Sequence, residues 1–111
     1  MSMPDPSSAL QELQSLADAP CAEWGTELAC RGVELDCAGV ADGQDALRKA
    51  LSGGGTYHDV LGRLGRAIEA AALPAKRRVI ALAVADVARA RPRQRLAAVL
   101  GQLAARGPMA A

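Results

Sequence analysis

Three cysteines and the single histidine are the side chains of this chain best suited to metal binding or nucleophilic chemistry. Cys21, Cys30, Cys37 and His58 number four, as a zinc site requires, but no two of the cysteines form a Cys-x-x-Cys pair. A Cys–His nucleophile also needs a third group that orients the histidine, and the sequence identifies none. We therefore expect structural cysteines with free thiols, and no metal, no cofactor and no enzymatic activity.

Arginines are the second group that could bind a ligand, because they can neutralise the phosphates of a nucleic acid. The candidates for anion or nucleic-acid binding are Arg77, Arg78, Arg89, Arg91, Arg93 and Arg95. A solvated loop is the alternative explanation of this cluster. The chain has one Trp, one Tyr and no Phe, so it offers almost no aromatic side chains on which bases could stack. Nucleic acid is therefore an unlikely partner, and any binding should be weak.

A predicted helix over residues 57–72 carries the candidate surface for binding another protein. Thr56 and Asp59 have the spacing of a capping box at its start, and a stripe through Leu61 and Ile68 marks its buried side. The side opposite this stripe combines an aromatic residue, arginines and glycine, which are residue types found at interfaces. The predicted partner-binding residues are Tyr57, His58, Gly62, Arg63 and Arg66. Their charge predicts a partner with an acidic surface.

Two stretches around this helix have the pattern of β-strands. Residues 33–37 alternate apolar and acidic side chains, and residues 79–84 belong to the longest apolar run of the chain. A run that is apolar on both faces is typical of a buried parallel strand, and three of its residues are β-branched. Periodicity alone also allows a helix here, starting near Pro74 and pairing with a helix over residues 92–106. That last helix has an apolar stripe made by Leu96, Val99, Leu100 and Leu103.

These elements predict an α/β fold in which a small parallel sheet is covered by helices in a two-layer arrangement. An all-α helical bundle is the alternative. Residues 1–30 are interpreted as an N-terminal helical extension and residues 31–111 as a single α/β domain. The turn predicted at Gly39 to Gly43 would connect the first strand to a helix over residues 44–51.

The segment Arg31-Gly-Val-Glu-Leu-Asp-Cys-Ala-Gly-Val-Ala-Asp-Gly-Gln-Asp-Ala-Leu-Arg-Lys-Ala-Leu51 resembles the first strand and helix of the barstar-like family. Tyr57 is similar to the aromatic residue before that family's second, inhibitory helix. The resemblance spans about residues 31–106, and it implies a bacterial inhibitor or immunity protein that blocks a ribonuclease by protein–protein contact. In the family the second helix carries aspartates, whereas Gly62 and Arg66 occupy those places here, which again favours an acidic partner. An all-helical adaptor or chaperone is the alternative function.

Charge is distributed unevenly along the chain. Residues 1–59 hold ten acids and three bases, whereas residues 60–111 hold two acids and ten bases. Such asymmetry is typical either of a binding face or of two halves that neutralise one another. No apolar run approaches the roughly 18 residues of a membrane span, and the first residues do not resemble a signal peptide. We therefore expect a cytoplasmic location and no membrane partner.

Overall fold

The computed structural model describes residues 6–106, with side chains described for residues 8–91 and for Gly101. Helices are the regular elements of this part of the chain, and no strand occurs within residues 6–106. In chain order they are α1 (Pro6–Asp18), a 3₁₀ turn (Cys21–Glu23), α2 (Trp24–Ala29), α3 (Cys37–Ser52), α4 (Tyr57–Ala70) and α5 (Ala75–Arg106). The prediction of an α/β fold with a parallel sheet is therefore wrong, and the all-α alternative is confirmed.

The apolar run over residues 79–84 lies in α5, not in a strand. The run contains two alanines and a leucine, which are good helix formers, beside its three β-branched side chains, and its packing against neighbouring helices decides for a helix. Ile80 and Val84 are buried on the side of α5 that faces the body, while Val79 and Leu82 are exposed. Most sides of the run are apolar because α5 packs on several neighbouring helices, and Val79 and Leu82 are its exposed apolar edge. A helix of this kind has the same sequence pattern as a buried strand.

Pro92 does not begin a separate helix. It lies inside α5, which runs without interruption through residues 86–91. The predicted helix over residues 92–106 is thus the second half of one 32-residue helix. Its predicted apolar stripe lies outside the described side chains.

The first predicted strand is also absent. Residues 33–36 have no regular structure, and Asp36 is the N-cap of α3, its carboxylate accepting a hydrogen bond from Ala38 N at 3.0 Å. Gly39 and Gly43, predicted as a turn, are buried in the first turns of α3. The fold implied by the barstar-like resemblance is therefore not that of this chain, because the described residues hold no strand and residues 33–36 lead without regular structure into a helix.

The two buried glycines let α3 lie very close to α5. A β-carbon at Gly39 would be 2.7 Å from Ile80 Cβ, and one at Gly43 would be 2.7 Å from Val84 Cβ. Because residues 39 and 43 meet residues 80 and 84 in the same order, the two helices run parallel. This contact fixes the position of α5 along α3.

The N-terminal segment shares the same core. Leu13, Trp24 and Leu28 are at most 2% exposed and belong to one cluster with side chains of α3, α4 and α5. A disulfide between Cys21 and Cys37 further joins this segment to the start of α3. The prediction of free thiols is wrong for these two residues, whereas Cys30 is a free, exposed thiol.

Candidate protein-binding surface

The start of α4 has the capping box predicted from the sequence. Thr56 Oγ1 accepts a hydrogen bond from Asp59 N at 3.2 Å, and Asp59 Oδ2 accepts one from Thr56 N at 2.9 Å. Hydrogen bonds from Thr56 lower the pKa of Asp59, and the bond from the Thr56 backbone contributes more than the one from its side chain. The helix therefore begins at Tyr57, and this start fixes which of its residues face outward.

Tyr57 is half-buried and ties α4 to α5. Its hydroxyl donates to the carbonyl oxygen of Ala88 at 3.1 Å, with Arg89 O at 3.3 Å. Pro92, four residues after Ala88, has no N–H, so the Ala88 carbonyl lacks its usual helical partner. Tyr57 supplies the missing donor. The tyrosine predicted to contact a partner thus has a structural role at the proline position in α5.

This geometry predicts coupling between Tyr57 and Pro92. Tyr57→Phe should lower the free energy of unfolding by about 1–2 kcal/mol, because it leaves the Ala88 carbonyl without a donor. Pro92→Ala restores an N–H at residue 92. In that background Tyr57→Phe should lower the free energy of unfolding by markedly less. Chemical unfolding of the four proteins of this cycle measures the coupling. Equal costs of Tyr57→Phe in both backgrounds would contradict the assigned role.

Arg63 also has a structural contact. Its guanidinium donates to the carbonyl of Ala50 at 3.0 Å and to that of Gly54, at the C-terminal end of α3. A cation in this position satisfies carbonyls that the helix leaves without partners and interacts favourably with the helix dipole. The side chain is half-buried and held in place.

The remaining predicted partner residues lie on the outer side of α4. His58 is exposed, with its ring edge-on to Tyr57 at a centroid distance of 5.9 Å. Gly62 and Arg66 are exposed as well. The predicted set is therefore divided, since Tyr57 faces α5 and Arg63 reaches the end of α3.

A shallow groove between α3 and α4 brings three cations together. It is lined by Lys49, Ala50, Arg63, Arg66, Ala67 and Ala70. Lys49 and Arg66 are exposed, and neither forms an ion pair with a side chain that the structure describes. Both arginines belong to the predicted partner-binding residues, whereas Lys49 does not, because Lys49 lies on another helix and only the packing of α3 against α4 places it nearby.

Two arginines of the predicted anion-binding cluster form ion pairs with carboxylates of other helices. Arg77 makes a bidentate contact with Asp42, at 2.6 and 2.8 Å, and this hydrogen bonding raises the pKa of Arg77. Arg91 contacts Glu27 at 2.6 Å. Two of the six candidates therefore hold α5 against α3 and α2, and do not present a continuous basic surface.

The other four members of that cluster differ in their surroundings. Arg89 is exposed and 3.4 Å from Asp86, whereas Arg78 is exposed and has no ion pair among the described side chains. Arg78 lies beside two exposed apolar residues of α5, Val79 at 54% and Leu82 at 43% exposure. Arg93 and Arg95 lie outside the described side chains.

No group of histidine, cysteine and carboxylate side chains within the described residues could hold a metal ion. No described helix is both long and apolar enough to span a membrane. Comparisons with protein-family models, with curated proteins and with solved structures give no match. A function for this chain is therefore inferred from its side chains and their geometry.

Proposed function

We propose that this chain is a non-enzymatic helical adaptor that binds an acidic segment of another protein in the groove between α3 and α4. The observation that carries the proposal is the pair of exposed cations, Lys49 and Arg66, which lack an ion pair among the described side chains and flank a floor of small residues. Cations without a partner retain their full capacity to bind carboxylates. Aspartate or glutamate side chains are the groups that fit between them.

The shape of the groove supports an extended or helical occupant. Its floor consists of Ala50, Ala67 and Ala70, whose small side chains let a backbone approach closely. Arg63 is held by the carbonyls at the end of α3, so one charge of the groove is fixed in place before a partner binds. Groups held in advance lose less conformational entropy on binding, which favours affinity.

The arrangement of arginines supports a protein partner over a nucleic acid. Arg77 and Arg91 are engaged with Asp42 and Glu27, which leaves no continuous row of cations along the described part of α5. The only tryptophan, Trp24, is buried, and Tyr57 is half-buried against α5, so neither offers a face for base stacking.

The proposal is tested by reversing the charge of Arg66. Arg66→Glu should weaken partner binding by about 1–3 kcal/mol, the range for losing a charge-assisted contact. The melting temperature should change little, because the side chain is exposed. The tagged chain is purified from cells of its source organism, the co-purifying proteins are quantified by mass spectrometry, and affinity for a recovered partner is measured by calorimetry.

Arg78→Glu is the matched control, because Arg78 is also an exposed arginine without an ion pair among the described side chains. It should leave partner recovery and affinity unchanged. If Arg66→Glu retains the partner while Arg78→Glu loses it, the binding surface is the outer side of α5 beside Val79 and Leu82, and the groove is excluded.

A further inference from the structure

We propose that the Cys21–Cys37 disulfide is a reversible exchange site, which small thiols of the glutathione class reduce while the protein stays folded. Cys37, the first residue of α3, is exposed, and Cys21, the first residue of the 3₁₀ turn, is half-buried. Of the two bonded residues, Cys37 is therefore the one more open to a thiolate in solution. This site is separate from the groove between α3 and α4, and the inference does not depend on the proposed function.

The segment closed by the disulfide has anchors of its own. Trp24 and Leu28 are 2% and 0% exposed, and Glu27 contacts Arg91 of α5 at 2.6 Å. The backbone N–H of Val33 donates to Leu28 O at 2.9 Å. The buried Trp24 and Leu28 and the Glu27–Arg91 pair hold the segment on the body whether or not the two sulfurs are joined, and the Val33–Leu28 bond orders the segment itself. The bond can consequently open and close without unfolding the core.

The position of Cys37 also favours the reduced state. The N-terminus of a helix stabilises an anion, and α3 has 16 residues with Cys37 in its first turn. A disulfide whose reduced form is stabilised in this way is more easily reduced. The carboxylate of Asp36, which caps the helix by accepting from Ala38 N, opposes this effect at the same terminus.

The exchange proceeds in two balanced steps. A glutathione thiolate attacks Cys37 Sγ, a mixed disulfide forms, and the electron pair of the broken bond leaves on Cys21 Sγ, which takes a proton from water. A second glutathione thiolate attacks the glutathione sulfur of the mixed disulfide. This forms oxidised glutathione and releases Cys37 as a thiolate, so two electrons pass to the protein.

The experiment uses the full chain with Cys30→Ser, which removes the third thiol. The oxidised protein is treated with reduced glutathione in native buffer, free thiols are alkylated and counted by mass spectrometry, and helicity and Trp24 emission are followed. We expect the rate at which glutathione reduces the disulfide in native buffer to be within about tenfold of the rate in urea, because the bond is accessible in the folded state. Helicity and emission should stay native, and oxidised glutathione should restore the bond. Reduction that needs urea, or loss of helicity on reduction, would show a purely structural disulfide.

Asp36→Asn tests the contribution of the helix terminus. Asparagine keeps the N-cap but removes the charge beside Cys37, so the equilibrium in a glutathione buffer should shift about two- to fivefold toward the dithiol. Glu34→Gln is the matched control, because it removes a charge two residues earlier at an exposed position. It should shift the dithiol–disulfide equilibrium less than Asp36→Asn does. An equal shift in both variants, or a shift toward the disulfide in Asp36→Asn, would contradict the assigned role of the terminus.

Discussion

Gly43→Ala is expected to lower the free energy of unfolding by about 2 kcal/mol, even though alanine is the better helix former. The new methyl group would lie 2.7 Å from Val84 Cβ and 2.9 Å from both of its γ carbons. Val84 is fully buried, so it cannot move aside without displacing α5. Overpacking of this kind costs about 1–3 kcal/mol or more, which exceeds the roughly 0.5–1 kcal/mol gained in helix propensity. Urea unfolding followed by circular dichroism measures the difference.

Gly65→Ala is the matched control for this prediction. A methyl group there would lie 3.6 Å from Arg89 Nη2, an ordinary contact, so the substitution should stabilise the protein by about 0.5–1 kcal/mol. Adding Val84→Ala to Gly43→Ala should recover part of the lost stability, although Val84→Ala alone destabilises. If Gly43→Ala were as stable as Gly65→Ala, the close packing of α3 on α5 would be incorrect.

The contrast between these glycines shows where the sequence was misleading. Gly62 and Gly65 lie within α4, yet a β-carbon at either would meet nothing nearer than ordinary contact distance. Gly39 and Gly43, which do make a close approach, were predicted as a turn. Four-residue spacing places two glycines on one side of a helix, but only the position of Ile80 and Val84 on a distant segment shows that this side is occupied.

Features that depend on residues close together in the chain were predicted correctly, whereas features that depend on distant residues were not. The capping box of Thr56 and Asp59 was found because its groups are three residues apart and bond to each other's backbone. The choice between strand and helix for residues 79–84 depended on what surrounds them, since a helix packed on several sides has the same apolar pattern as a buried strand. The roles of Arg63, Arg77 and Arg91 likewise depend on partners 9 to 64 residues away in the chain. No spacing rule encodes such pairs.

Gln44 provides the second large expected effect, and no motif or spacing in the sequence indicates it. This side chain of α3 is buried, and its Nε2 donates to the carbonyls of Leu16 at 3.0 Å and Ala19 at 2.7 Å, at the end of α1. The last carbonyls of a helix have no partners within the helix, so a buried helix end needs donors from elsewhere. Gln44→Leu keeps a similar volume but leaves the Ala19 carbonyl without this donor and the Leu16 carbonyl with only the long bond from Ala19 N at 3.4 Å.

We expect Gln44→Leu to lower the free energy of unfolding by about 2–3 kcal/mol, because unsatisfied buried acceptors cost about 1–3 kcal/mol each. Gln14→Leu, the same substitution at an exposed position of α1, should change it by less than about 0.5 kcal/mol. Gln44→Glu should be at least as damaging as Gln44→Leu at neutral pH, since an ionised carboxylate can only accept and would face two carbonyl oxygens. Urea unfolding of the three variants measures these differences. A cost of Gln44→Leu no larger than that of Gln14→Leu would mean that water satisfies the end of α1 and that Gln44 does not hold α1 on α3.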